Sequence, residues 1–348
     1  MRGASAAAAP SWHTESPRMH GPSTRLRQPR LVSVVLSFRN EADTIPTLIA
    51  RLTTVLAGES AEHELIFVND ASTDGSLAVL EAAHGANARV KVVTLSRRFG
   101  VAEGVLAGMA ASSGDVVIYM DADLQDPPEV IPRLLDAWRN GAEVVHTVRT
   151  RRHGESALKM WLTRTAYRAI QYGSTIDLPV DAGDFKLLSR VAVDRLLALR
   201  ESDPYLRGLA VWIGFTQVIV PYERAARHAG RTHFPFFSRN PWKTFVLGVT
   251  SFSFVPIYAC GVLAATGLVL SGILTITAAV LWTTGSTVFG GTALLALATF
   301  FWSTTLGAIS AVGLYVARTY KDVRRRPAYI VAATIGLPAA GQHGVDCD

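Results

Sequence analysis

Charge is missing from one long stretch: between Lys243 and Arg318 the sequence runs for 74 residues without an Asp, Glu, Lys, Arg or His. A folded domain that meets water on all sides does not leave so long a segment without a solvated charge, so a wholly soluble protein is excluded. The remainder has ordinary globular composition. It leaves room for one α/β domain of roughly 200 residues and excludes a bundle of many membrane helices. Cysteine is scarce too: Cys260 lies inside the apolar stretch and Cys347 is the penultimate residue. No disulfide framework is available, and a reducing compartment is compatible. Residues 1–30 lack a periodic apolar face and any apolar core long enough for a secretory signal. With Pro10, Pro17, Pro22, Pro29 and Arg18, Arg25, Arg27, Arg30 they read as a disordered tail.

Lys and Arg number 34 against 28 Asp and Glu, giving a net charge of +6. The basic residues cluster in the first thirty positions and beside the apolar stretch. That placement points to an anionic membrane surface as partner and away from nucleic acid.

From Leu31 onward short apolar runs alternate with helical segments, the pattern of an α/β fold around a mainly parallel sheet with helices on both faces. The spacing predicts strands over Leu31–Ser37, Glu64–Asn69, Val90–Leu95, Asp115–Met120 and Glu143–Val148. Helices are predicted over Ile45–Ala57, Ser76–His84, Ala102–Ala111 and Pro128–Trp138, the last opened by Asp126-Pro127-Pro128, a cap followed by proline in the first turn. In such sheets ligands gather outside the carboxyl ends of the strands.

Those ends are polar here. Ser37, Arg39, Asn40 and Glu41 follow the first strand, Asn69 to Gly75 the second, Ser96-Arg97-Arg98 the third, Asp121 to Asp126 the fourth, and Arg149 lies by the fifth. Any one of these loops is an ordinary capped turn. Five on one edge point to a binding crevice. Asp121-Ala122-Asp123 offers hard oxygen ligands suited to Mg2+ or Mn2+, ions that take further ligands from substrate phosphates; the alternative is that Asp123 and Asp126 merely cap the next helix. Asp70 is the candidate to accept a hydrogen bond from a base or ribose, and Asp74 the candidate cap for the helix at Ser76. Arg97, Arg149 and Arg164 are candidate phosphate clamps, because guanidinium presents a planar fork of donors.

Read together, Val34 to Glu41, Val68 to Asp74, Leu95 to Gly100, Asp121 to Pro128 and Asp181 to Leu188 resemble the family 2 glycosyltransferases of GT-A fold. They are most similar to the polyprenol-phosphate glycosyltransferases, which include dolichol-phosphate mannose synthases and bactoprenol glucosyltransferases. The resemblance covers about Leu31 to Val331 and implies a GT-A Rossmann-like catalytic domain over 31–235. It implies metal held through Asp123 and Gln125, and a donor contacted by Ser37, Asn40, Glu41, Asp70, Arg97, Asp121 and Arg149. Asp184, Asp121 and Arg149 then lie at the reacting centre, and Arg164, Arg227, Arg231 and His233 face the acceptor. The reaction it implies moves a hexose, with UDP-glucose the leading donor and GDP-mannose or another nucleotide sugar the alternative, onto polyprenyl phosphate with inversion. A phosphate monoester is largely a dianion near neutral pH, its second pKa being about 6, so Asp184 stands either as a base or as an orienting group. Two departures from relatives are visible. Asn69-Asp70-Ala71 stands where many have Asp-Asp-Gly, and Thr232-His233-Phe234 where Ser-Lys-Tyr is usual. A reading of a different class is a catalytically silent membrane adaptor; intact Asp121, Asp123, Gln125, Arg149 and Asp184 speak against it.

The uncharged stretch is long enough for two spans of about 20 residues, with a turn at Thr283 to Gly291. Expected spans lie near Ile257–Trp282 and Thr292–Tyr315, within a hairpin over 257–317, preceded by an interfacial amphipathic segment at 236–256 and followed by a basic tail at 318–348. Arg239 and Lys243 before it, and Arg318, Lys321, Arg324, Arg325 and Arg326 after it, mark both ends and the catalytic domain as cytoplasmic, at a bacterial-type inner or plasma membrane. Gly267, Gly272 and Gly307 are candidates for close helix packing, within the hairpin or in a homo-oligomer.

Overall fold

A computed structural model describes residues 27–149, 182–199, 201–224, 255–283 and 290–337, which fall into an α/β unit and a helical unit. In the α/β unit, β1 (Leu31–Phe38), β2 (Glu62–Asn69), β3 (Val90–Leu95) and β4 (Val116–Asp121) are near-continuous apolar runs. Such runs belong to strands covered on both faces. They lie parallel in the order β3-β2-β1-β4. The order reverses between β1 and β4, where Ser37 is paired with Asp121, so a crevice opens there at the strand ends.

Three helices supply the core of one face: α1 (Ile45–Ala57), α2 (Ser76–Ala86) and α4 (Ile131–Arg139). In α1 the buried residues Ile45, Leu48, Leu52 and Leu56 recur at helical spacing, which fixes the side turned to the sheet. The opposite face is covered by α3 (Val101–Ala111), α5 (Arg190–Leu197) and α6 (Leu206–Trp212). Helix α3 lies close to the sheet because it presents glycines: a Cβ on Gly104 would sit 2.3 Å from Ser37 Oγ, and one on Gly108 2.3 Å from Val35 Cγ1.

The sheet is mixed, with eight strands among the described residues, in the order β7-β5-β6-β4-β1-β2-β3-β8. Strand β5 (Val144–Arg149) pairs parallel with β7 (Gln217–Tyr222). Between β5 and β4 runs β6 (Ala182–Ser189), antiparallel to both. This antiparallel insertion carries the segment from Asp184 to Leu188 that the sequence pattern left without an element. A second correction concerns the C-terminal tail, where β8 (Val331–Ile335) adds antiparallel to the free edge of β3. Its Val-Ala-Ala-Thr-Ile run has strand propensity, and pairing removes an exposed edge.

In the helical unit, α7 (Val255–Thr283) and α8 (Gly290–Val323) contain 29 and 34 residues. At about 1.5 Å per residue each exceeds the roughly 30 Å of bilayer hydrocarbon. A Cβ on Gly267 would lie 2.4 Å from Phe300 Cε1, and Cys260 Sγ lies 3.8 Å from the Gly307 carbonyl oxygen. Numbering thus climbs along α7 as it falls along α8, so the pair is an antiparallel hairpin. Gly267 is a close-packing position as expected, whereas Cβ atoms on Gly272 and Gly307 would meet nothing within 4 Å. By length and composition one described segment, Phe300–Val323 with mean hydropathy 1.4, is apolar enough to cross a membrane. Nearly all of the expected interfacial segment lies outside the described residues.

Candidate functional site

The loops after β1 and β2 are stapled to each other. Asn40, with a left-handed φ of 58°, donates its N–H to Ser72 Oγ at 3.0 Å, and its Oδ1 accepts the Thr73 N–H at 2.8 Å. Glu41 donates its N–H to Ser76 Oγ at 3.0 Å, and its carboxylate accepts from the Thr44 hydroxyl at 3.0 Å. Asp74 accepts from the Ser76 N–H at 3.1 Å and the Ser76 hydroxyl at 2.6 Å, which is the capping role read from sequence. Asp70 is buried, and its Oδ1 accepts the Phe99 N–H at 2.7 Å, tying the β2 end to the loop after β3. In that loop Arg97 is exposed and stacks its guanidinium 3.9 Å above the Phe99 ring. Ser37 is placed differently from expectation: it shares the face of Val35, and its Oγ is packed against Gly104 of α3. Side chains alternate along a strand, so a residue near a strand end can still point under a helix.

At the end of β4 the acidic residues converge on Arg224, which follows β7. Its Nη2 lies 3.5 Å from Asp121 Oδ2 and 4.0 Å from Asp123 Oδ2, and its Nε donates to Asp126 Oδ1 at 3.2 Å. Asp123 Oδ1 accepts the Gln125 backbone N–H at 3.1 Å, so the two expected metal-binding residues share one tight turn. Leu124 between them has a left-handed φ of 60°. Asp126 does not cap the following helix. Pro127 holds the cap position, and Asp126 is fully buried, accepting from the Tyr222 hydroxyl at 2.5 Å. Burial, then the crowding of Asp126, Asp184 and Asp123, pushes the Asp121 carboxyl up to about 7 although Arg224 opposes it. Carboxylates crowded this closely are the chemistry that a divalent cation relieves. Among the described residues no three His, Cys, Asp or Glu side chains are grouped to hold a metal by themselves. Asp123 with Gln125 would leave most coordination positions to water and substrate oxygens, the usual arrangement for Mg2+.

The other half of the site is basic. Arg149, at the end of β5, donates from Nε to the Tyr222 hydroxyl at 3.3 Å. Asp184 on β6 forms a two-point ion pair with Arg207 of α6, Nε donating to Oδ1 at 2.7 Å and Nη2 to Oδ2. Lys186, also on β6, is fully buried, and burial lowers its pKa to about 7 even though Asp184 favours its charged form. The structure thus brings Asp121, Asp123, Gln125, Arg149 and Asp184 to one edge of the sheet. Arg164, Arg227, Arg231 and His233 lie outside the described residues. Arg207, Tyr222 and Arg224 were missed from sequence; the one available signal was Tyr222-Glu223-Arg224, which sets two polar side chains on one face of a strand end.

Residues 33–197 match the family described as Glycosyl transferase family 2. The chain is 36% identical over 312 residues to an uncharacterized glycosyltransferase, YkcC, of Bacillus subtilis strain 168, covering 88% of this chain and 94% of that one. It is 31% identical to the prophage bactoprenol glucosyl transferase homolog of Escherichia coli K12, over 86% of this chain and 98% of the relative. The bactoprenol glucosyl transferase of Shigella phage SfII is 32% identical, over 86% and 97%. Among solved structures, glucosyl-3-phosphoglycerate synthase from Mycobacterium tuberculosis bound to uridine diphosphate aligns at 24% identity and TM-score 0.42, over 63% of this chain and 80% of that one. The chain belongs to glycosyl transferase family 2, and it is a glycosyltransferase.

Proposed function

We propose that the protein transfers a hexose from a nucleotide sugar, with UDP-glucose the leading donor, to polyprenyl phosphate with inversion at the anomeric carbon. The observation that carries this reading is the crowding of Asp121, Asp123 and Asp126 around the guanidinium of Arg224, facing a cationic half built from Arg149, Arg207 and Lys186. One half suits a divalent cation and the other suits phosphate. Relatives named bactoprenol glucosyl transferase, alike over most of the chain, support the lipid phosphate as acceptor.

In this reading Asp123 and Gln125 would hold Mg2+ or Mn2+, which would supply positive charge to offset that of the departing diphosphate. Asp70 accepts from the base of the donor, Arg97 and Arg149 bind its phosphates, and Asp121 lies beside the ribose or diphosphate. Asn40 and Glu41 contribute by fixing the loop on which the nucleotide rests. Arg164, Arg227, Arg231 and His233 face the acceptor phosphate. Both α7 and α8 cross the membrane as a hairpin, with the basic residues at its ends on the cytoplasmic side. GDP-mannose or another nucleotide hexose is the alternative donor.

The test is to incubate the purified protein with polyprenyl phosphate, Mg2+ or Mn2+ and a panel of nucleotide sugars, following glycolipid formation with and without EDTA. A glycolipid formed from one donor and lost with EDTA is the expected result. Asp123→Asn should abolish this turnover while leaving membrane insertion intact. No product from any donor with folded protein removes the reading, and EDTA-resistant turnover removes the metal from it.

A further inference from the structure

The following rests on the acceptor reading above and concerns the part played by Asp184. Both oxygens of this carboxylate are engaged by one side chain, since Arg207 donates from Nε to Oδ1 at 2.7 Å and from Nη2 to Oδ2. The fork-on-carboxylate arrangement holds the acid firmly as an anion and in one orientation. Lys186, two residues along β6 and so on the same face, donates from Nζ to the Gly183 carbonyl at 2.8 Å, which fixes the peptide immediately before Asp184. Arg207 is anchored in turn through its helix. Beyond the far end of α6, Gln217 donates to the carbonyls of Val211 at 3.0 Å and Gly214 at 2.7 Å. Burial opposes ionisation of Asp184, yet Arg207 first and then Lys186 and Arg149 hold its carboxyl well below the usual carboxylate range. A proton acceptor needs a lone pair turned to the substrate and a pKa near the working pH. Asp184 has both oxygens committed to a guanidinium and a pKa far below that range.

We infer that Asp184 is a positioning residue: it fixes Arg207 as the cation of the acceptor side and takes no proton in the reaction. The chemistry closes without a base. A lone pair on an oxygen of the acceptor's phosphate dianion forms the bond to the anomeric carbon. The bond from that carbon to the diphosphate oxygen breaks, and its electron pair leaves with the nucleoside diphosphate. No proton changes place, and total charge is conserved.

The deciding measurement uses the intact enzyme and two acceptors, polyprenyl phosphate and its phosphorothioate analogue, whose second ionisation occurs at lower pH. The acid limb of kcat/KM should move down with the analogue, because the ionisation that matters belongs to the acceptor. A limb that stays fixed for both acceptors belongs to the enzyme and overturns the inference. Asp184→Asn should raise KM for the lipid about tenfold while kcat stays within about tenfold, and Arg207→Gln should show the same split. The double variant should be little worse than either single change, because the two residues act as a unit. A kcat loss of about a thousandfold or more in Asp184→Asn at unchanged lipid KM is the signature of a lost base and overturns the inference. Should Asp184→Asn fail to fold, the two-acceptor comparison decides alone. Absence of transfer to polyprenyl phosphate by the parent enzyme overturns the acceptor reading and this inference together. Transfer whose acid limb ignores the acceptor overturns the inference only.

Discussion

The Tyr222 hydroxyl donates to Asp126 Oδ1 at 2.5 Å and itself accepts from Arg149 Nε at 3.3 Å, so one phenol joins the acidic and basic halves of the site. Asp126 is wholly buried, and its second oxygen has no hydrogen-bond partner among the described residues. Removing the hydroxyl leaves a buried carboxylate on Arg224 alone. Tyr222→Phe should cost about 1.5–3 kcal/mol, the range for a hydrogen bond to a charged group. Urea unfolding followed by circular dichroism measures it, and an unchanged midpoint counts against the bridge. Arg149 also loses an orienting contact, so KM for the sugar nucleotide should rise in the same variant.

Ser37 and Gly104 make a second test, because the structure turns a residue expected to touch the donor into a packing residue. A Cβ on Gly104 would lie 2.3 Å from Ser37 Oγ, closer than any relaxed contact permits. Gly104→Ala should therefore destabilise by about 1–3 kcal/mol, the usual cost of overfilling a packed core. Adding Ser37→Gly should recover much of the loss, since it deletes the atom that clashes. Ser37→Ala alone should leave donor affinity unchanged in a nucleotide titration. A large loss of affinity in that variant returns Ser37 to the binding surface.

Legibility in the sequence followed the range of each interaction. The parallel strands β1 to β5 were readable because each is a short apolar run closed by turn residues, and the polar residues just after them marked the crevice. Asp74 was readable as a cap because its partner, Ser76, is two residues away. Asp126 was misread for the complementary reason: Asp-Pro-Pro is a local helix-start signal, but Arg224, 98 residues on, supplies a stronger partner. Arg207 meets Asp184 from 23 residues away, on a helix whose own pattern reports only its apolar face. Strand β8 was hidden because its partner, β3, lies on the far side of the whole helical hairpin in sequence.

His146 gives a prediction with a pH axis. It is buried on β5, bonded through Nε2 to Gln217 Oε1 at 2.8 Å, and burial followed by Lys186 depresses its pKa from 6.5 to about 3. Between these values the unfolded chain binds a proton that the folded protein does not. Stability due to this residue is therefore intact above pH 6.5 and falls as the pH drops toward 3. Lowering the pH by one unit, to about 5.5, should cost about 1 kcal/mol by the linkage relation. His146→Gln should flatten that slope in denaturation curves taken at the two pH values. A slope as steep as the parent's assigns the acid sensitivity to other groups.

Cys260 and Gly307 test the helical hairpin directly. Cys260 Sγ lies 3.8 Å from the Gly307 carbonyl oxygen, and Phe300 covers Gly267, so both contacts belong to one antiparallel register. A Gly307→Cys change in a Cys347→Ser background places a second thiol on the facing turn of α8, though not in direct contact, since a Cβ there meets nothing within 4 Å, and it removes the other natural one. A short thiol-to-thiol crosslinker applied in membranes should then join Cys260 to position 307 within a single chain, because the Cys260 thiol lies against the Gly307 backbone. Peptide mapping by mass spectrometry should find that link and not one between chains. A cysteine placed at Leu314, two turns further along α8, should remain unlinked under the same conditions, since a shift of seven residues moves it about 10 Å along the axis. Linking at 314 in preference to 307 excludes this register, and linking only between chains places the two helices against neighbouring copies instead of against each other.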